Sequence, residues 1–261
     1  MNNIINNLSV FTTGDKENSP ILFIHGFQFD HYMWDKQVEN FNSGYYCITY
    51  DIRGLGNSAV GDGQFTMESF VDDLEKIIDS LKLNKPTLCG LSMGGYISLR
   101  AVERMQDKIG ALILCDTKSL ADNNEGKINR ALGIKQIVDE GVETFVEQFI
   151  SNCFADRFKQ TSKPEYETIV NRSKKYDAVG VKGCLLAMAG RTDTTPYLQN
   201  ISIQTLVICG EEDKLTPPGV MKSMSDKIKN SKFVTIEGAG HISPVEAPTA
   251  VNKEIENFLN N

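Results

Sequence analysis

The chain alternates short, uninterrupted apolar runs with longer amphipathic stretches. The runs at residues 21–24, 46–50, 87–91, 111–115, 205–209 and 233–236 are rich in β-branched and aromatic side chains, and most stay apolar at both odd and even positions. A strand apolar on both faces belongs in a parallel sheet covered on both sides, whereas a half-exposed strand alternates apolar with polar. Between the second and third runs, Met67, Phe70, Val71, Leu74, Ile77, Ile78 and Leu81 recur at the spacing of one helix face. Thr66 is placed to cap that helix and Pro86 lies beyond its end. Strand, crossover helix and strand make a βαβ unit, and a further helical pattern over 93–105 continues it.

The rhythm breaks between Thr117 and about Asn200, where no strand-like run occurs and helical patterns such as 142–150 and 179–188 dominate. It returns at Ile203. The pattern predicts an α/β fold: a mostly parallel sheet with helices on both faces, its core formed by residues 1–116 and 201–261. Residues 117–200 then form a helical cap inserted after the strand ending near Asp116. Such an insertion covers the carboxyl edge of the sheet, where open α/β folds bind ligands, and so reads as a lid. The asparagine-rich start reads as a frayed, polar N-terminus, and no internal repeat is found.

Composition narrows the partners. Lys and Arg number 27 against 34 Asp and Glu, a net charge of −7 with no basic run, which disfavours nucleic acid and anionic membranes and fits a small-molecule substrate. At 261 residues and 41% hydrophobic content, the chain can bury a full core without covalent staples. The start MNNIINNLSVFTTGD lacks a signal-like apolar region, and no stretch approaches the ~20 apolar residues of a membrane span, so a cytoplasmic protein is expected. Cys47, Cys89, Cys115 and Cys209 sit inside apolar runs and should be buried thiols. There is no CxxC pair, and His25, His31 and His241 are far apart, so neither a metal nor a cofactor is expected.

The chemistry centres on "LCGLSMGGYISL", residues 88–99, where GxSxG falls between a buried strand and an apolar helix. That context makes Ser92 a nucleophile on a strained strand-to-helix turn, with Gly90 and Gly94 removing side chains that would block it. A serine hydroxyl attacks only when a neutral imidazole takes its proton, and His241, in "GAGHISPVEAP", is the one histidine that follows Ser92. Its neutrality requirement predicts activity that falls on acidification. A carboxylate must orient that imidazole; Asp213 in "CGEEDKLTP" is favoured over Glu211, Glu212 and Asp116. The backbone N–H groups of Met93 and of Phe27, in "HGF", would hold the oxyanion, with His25 in a structural role within that loop. "GLGNSA" at residues 54–59 mimics a dinucleotide-binding turn, but the glycines that follow leave no room for the helix such a turn requires, so it reads as a structural turn at the edge of the sheet.

With Ser92, Asp213, His241, "HGF" and "DIRGLGNS" in this order, the sequence resembles the α/β-hydrolase superfamily over nearly its whole length. "GLSMGG", "GEEDKLTPP" and "GAGHISPVEAP" are most similar to bacterial carboxylesterases and 3-oxoadipate enol-lactonases, with cofactor-free haloperoxidases (perhydrolases) close behind. The resemblance implies hydrolysis of a small-molecule carboxylic ester or lactone through an acyl-enzyme, without a cofactor. Leu120, Met188 and Arg191 are candidates for the substrate pocket, Arg191 being the residue that could meet a diacid. No basic cluster in the cap announces such a substrate. The rival classes are a small-molecule receptor on a hydrolase scaffold and a nucleotide-dependent oxidoreductase, which NAD should stabilise.

Overall fold

The computed structural model describes residues 2–260, so Met1 and Asn261, the outer limits of the expected core segments, lie outside the described residues. Its sheet has eight strands: β1 (Asn2–Ile5), β2 (Leu8–Thr13), β3 (Pro20–Ile24), β4 (Tyr46–Tyr50), β5 (Thr87–Leu91), β6 (Ala111–Cys115), β7 (Gln204–Gly210) and β8 (Ser231–Ile236). They lie side by side in the order β1-β2-β4-β3-β5-β6-β7-β8. From β4 to β8 every neighbouring pair is parallel, while β1 and β2 run antiparallel at one edge. The central strands are buried along almost their whole length, as their apolar sequences require, whereas the edge strand β8 is only part-buried.

The helices of the core are α1 (Asp35–Phe41), α2 (Met67–Ser80) and α3 (Met93–Met105) in the first segment. α2 packs against α3. Thr66 caps α2 reciprocally with Ser69: each backbone N–H donates to the other's hydroxyl at 3.1 Å. Between β6 and β7 lie α4 (Asn124–Glu140), α5 (Val142–Cys153), α6 (Asp156–Thr161), α7 (Lys163–Ser173) and α8 (Ala178–Ala189), with no strand among them. The second core segment adds α9 (Pro218–Ser225), a short α10 (Ser243–Glu246) and α11 (Pro248–Leu259), which packs on α1. The two last helices stay separate because Pro248 has no N–H to donate the hydrogen bond that would continue the first turn.

Two local expectations are corrected. The asparagine-rich start is a β-hairpin, not a frayed tail: β1 pairs with β2, and Asn6 and Asn7 turn the chain at φ 52° and 63°. Asparagine tolerates that left-handed backbone better than other non-glycine residues, so the polar residues that suggested disorder are the turn-formers. The "DIRGLGNS" turn lies beyond the carboxyl end of β4, an interior strand between β2 and β3, and not at an edge of the sheet. It is folded around the buried Asp51, whose carboxylate accepts from His31 N–H at 2.9 Å, His31 Nδ1–H at 2.7 Å and Asn57 N–H at 2.8 Å. No helix opens there; α2 begins only at Met67.

Candidate active site

Ser92 is the single residue between β5 and α3, and it reverses the chain at φ 51°, ψ −110°. A side chain is disfavoured at such a φ, and here the surroundings impose it. Ser92 N–H donates to the Cys115 carbonyl at 3.0 Å, while Thr117 Oγ1 and Tyr96 N–H donate to the Ser92 carbonyl at 2.7 and 3.1 Å. The flanking glycines are required by contact: a Cβ on Gly90 would stand 2.4 Å from the Gly94 carbonyl oxygen, and one on Gly94 would stand 2.1 Å from that of Ile24. Their absence of side chains lets β3, β5 and the first turn of α3 meet.

His241 lies on the loop between β8 and α10, held by its N–H donating to the Cys153 carbonyl at 2.8 Å. Its Nε2 is 2.9 Å from Ser92 Oγ and its Nδ1 is 2.9 Å from Asp213 Oδ2. Those partners fix the neutral tautomer, with Nδ1–H donating to the carboxylate and Nε2 accepting from the hydroxyl. Asp213 follows β7, and its other partners are Leu215 N–H, Thr216 N–H and Thr216 Oγ1, at 2.8, 3.0 and 2.6 Å. Burial works to raise the Asp213 pKa, but the His241 charge and the hydrogen bonds from His241 and Thr216 outweigh it and hold the carboxyl below its ordinary value. This carboxylate therefore stays ionised and acceptor-only beside the imidazole.

The other acids are arranged differently. Glu211 and Glu212 are exposed. Asp116 is buried at the end of β6, accepting from Gly210 N–H at 2.7 Å and from Ser243 Oγ–H at 2.5 Å. It thereby ties β7 to the loop that carries His241. Burial, reinforced by the Asp213 charge, pushes its pKa well above the usual carboxylate range. His25 is also buried and engaged: its Nδ1–H donates to the Gly26 carbonyl at 2.8 Å, and its Nε2 accepts from Ile52 N–H at 2.9 Å. Burial lowers its pKa against the opposing charge of Asp51, so it serves as a neutral brace between two loops.

One side chain from each of Asp116, Cys209 and Asp213 brings a potential ligand atom within 4.8 Å of the others. The set suits a cation poorly: both carboxylates already accept several hydrogen bonds, and burial pushes the Cys209 thiol far up, against loss of its proton.

Ser92 and His241 open into a cavity of about 310 Å³. Phe27, Phe145, Phe149 and Met188 supply its apolar wall, with the Phe27 and Phe149 rings edge-on at 5.1 Å. Met93 heads α3, where the first N–H groups have no partner within the helix, and Phe27 stands at the end of the neighbouring strand β3. Of the residues expected in the substrate pocket, Met188 lines this cavity, while Leu120 is 48% exposed outside it. Arg191 is turned into the protein instead, donating to the carbonyls of Met188 and Leu120 at 3.0 and 2.7 Å and pairing with Asp122 at 3.0 Å. Lys118, Asp122 and Arg130, which sequence reasoning missed, form the polar part of the wall. Phe145 and Phe149 carried a signal, an i, i+4 aromatic pair in the 142–150 pattern, but the spacing fits core packing equally well. A second cavity of about 280 Å³, beside Tyr32 and Arg172, holds neither Ser92 nor a histidine.

The family model for the alpha/beta hydrolase fold matches residues 19–248. The chain is similar to 3-oxoadipate enol-lactonase 2 of Acinetobacter baylyi, 27% identical over 95% of this chain and 91% of that protein. It is 26% identical to the non-heme chloroperoxidase CPO-A1 of Kitasatospora aureofaciens, over 94% of this chain and 93% of the other. Among solved structures, a thermophilic esterase from Thermogutta terrifontis with malate bound superposes at a TM-score of 0.93 and 33% identity, covering 100% of this chain and 97% of that one. With a matched span of this length, and neighbours that act as esterase and lactonase, the chain belongs to the α/β hydrolase fold family and is a hydrolase of that family.

Proposed function

We propose that the protein cleaves a small-molecule carboxylic ester through an acyl-enzyme formed on Ser92. The observation that carries this reading is the run of contacts from Ser92 Oγ to His241 Nε2 and from His241 Nδ1 to Asp213 Oδ2, each 2.9 Å. Ser92 Oγ attacks the ester carbonyl as its proton passes to His241 Nε2. Asp213 keeps the imidazole oriented and stabilises the imidazolium. The N–H groups of Phe27 and Met93 receive the charge that develops on the carbonyl oxygen, each worth about 3 kcal/mol in the transition state. His241 then returns the proton to the departing alkoxide. In the second half, water loses a proton to His241 and attacks the acyl carbon; the bond from that carbon to Ser92 Oγ breaks, His241 returns the proton to Oγ, and the acid is freed.

A lactone runs through the same steps with its alcohol still tethered, and hydrogen peroxide in place of water would give a peracid. Residues 117–200 act as a cap, since Phe145, Phe149 and Met188, all within that segment, wall the cavity. Among the described residues no helix is long and apolar enough to cross a membrane. The six cysteines are free and buried, in keeping with a protein of the cytoplasm.

Release of p-nitrophenol from a short acyl ester tests the reading. The wild type should turn over many times, and Ser92→Ala should lose at least about 10³-fold in kcat. A single turnover would favour the receptor reading, and an undiminished mutant rate would remove Ser92 from the mechanism.

A further inference from the structure

Thr216 reaches the site from the turn that follows Asp213, and its surroundings leave it little freedom. Pro217 restricts the backbone of the residue before it, a β-branched side chain has few rotamers, and the Thr216 carbonyl accepts from Cys209 Sγ–H at 3.5 Å. The residue is 2% exposed, and it lines the cavity shared by Ser92 and His241, which Asp213 does not. The two oxygens of Asp213 divide their partners. Oδ1 accepts from the backbone N–H groups of Leu215 and Thr216, while Oδ2 accepts from the Thr216 hydroxyl at 2.6 Å and from His241 Nδ1–H at 2.9 Å. An ionised carboxylate offers about four acceptor positions, so all are taken. The threonine hydroxyl and the imidazole thus share one oxygen, with Thr216 Oγ1 itself 3.4 Å from His241 Nδ1.

We propose that Thr216 is a positioning residue: acting through Asp213 Oδ2, its hydroxyl keeps that oxygen turned to His241 and moderates its charge, and so sets how far toward acid the imidazole remains a neutral base. This rests on the reading of Ser92, His241 and Asp213 as the set that performs acyl transfer. A short hydrogen bond to a carboxylate oxygen offsets part of its negative charge, and a less negative Oδ2 attracts an imidazolium less strongly. The same bond is among the influences that hold the Asp213 carboxyl below its ordinary value. The other titratable groups around the pair are Asp116 at the end of β6, Cys209 on β7, Cys153 at the end of α5 and Glu246 on α10. A change confined to the Thr216 side chain leaves all four in place, together with the two backbone donors to Oδ1. Only the hydroxyl is then in question.

Thr216→Val keeps the shape of the side chain and removes that hydroxyl. With a short acyl p-nitrophenyl ester, the acid limb of kcat/KM should move to higher pH by about half a unit or more, and the plateau should fall about tenfold, the scale of one hydrogen bond to a charged group. Thr216→Ser restores the hydroxyl and should recover most of both losses, which a purely packing role would not produce. Thr216→Ala lacks the same hydroxyl and should move the limb in the same direction, so the test survives a valine variant that does not fold. A second arm needs no catalysis: the His241 ring is titrated by NMR in Ser92→Ala, its resonance identified among three histidines by its absence in His241→Ala. Adding Thr216→Val should move its midpoint up by about the same half unit. If no ester is hydrolysed but this midpoint rises, the nucleophile reading falls and the role of Thr216 stands. If limb and midpoint stay where they are in the valine and alanine variants, or the serine variant loses as much as valine, the inference is overturned.

Discussion

Ser92 sits at φ 51° because three backbone and side-chain hydrogen bonds and two glycine contacts leave it no other conformation, and that constraint directs its hydroxyl to His241 rather than into the sheet. A comparable buried network surrounds Asp51, whose pKa burial works to raise but whose hydrogen bonds from His31 and Asn57 hold it below the ordinary value. Because folding lowers this pKa, its stabilisation is complete above the unfolded-chain value near about 4 and is lost as pH falls through the folded value. Asp51→Asn should therefore lower the unfolding free energy by about 2–4 kcal/mol at neutral pH, with a smaller difference in acid, as urea titrations at the two pH values would measure. An equal loss at both would mean that the charge is irrelevant. At this scale the sequence made Ser92, Asp213 and His241 legible because each stands at a fixed offset from the end of a strand. Lys118 and Arg130 were not legible. They are twelve positions apart by number, on a loop and on α4, and only packing brings them to one wall. Arg191 shows the converse, a basic residue in a suggestive place that an internal carboxylate and two carbonyls claim.

At the scale of elements, the parallel strands could be read because burial on both faces writes a continuous apolar run, and α2 because its buried residues recur on one face behind a hydroxyl cap. The β1–β2 hairpin escaped because β1 has the sequence NNII with alternate residues exposed, too short and polar to differ from a tail. Its defining feature is the pair of asparagines in left-handed backbone. Asn7→Gly should leave stability nearly unchanged, whereas Asn7→Val should cost about 1–2 kcal/mol in urea unfolding, since a β-branched side chain disfavours φ 63°. Equal stability of the two variants would contradict the turn geometry.

For the whole molecule, the break in strand rhythm announced the inserted helices between β6 and β7, but not how they are fastened to the loop that carries His241. Cys153 accepts from His241 N–H, and Ala155 N–H donates to Glu246 Oε2 at 2.9 Å while Ile242 N–H donates to Glu246 Oε1 at 3.1 Å. The first two of these contacts join residues about 90 positions apart, a range over which no sequence pattern operates. Glu246→Ala removes both acceptors, so hydrogen exchange at residues 153–158 and 240–242 should quicken about tenfold or more, in line with a loss of roughly 1–3 kcal/mol of local stability. Unchanged exchange would show that the inserted helices and the core do not depend on this carboxylate. The proposed reaction depends on Ser92 being the activated nucleophile, and the most direct measurement is covalent labelling with a fluorophosphonate followed by mass mapping of the modified peptide. The expected result is one equivalent of label on Ser92, absent in His241→Ala; a label on another residue, or none on the folded wild type, would contradict it.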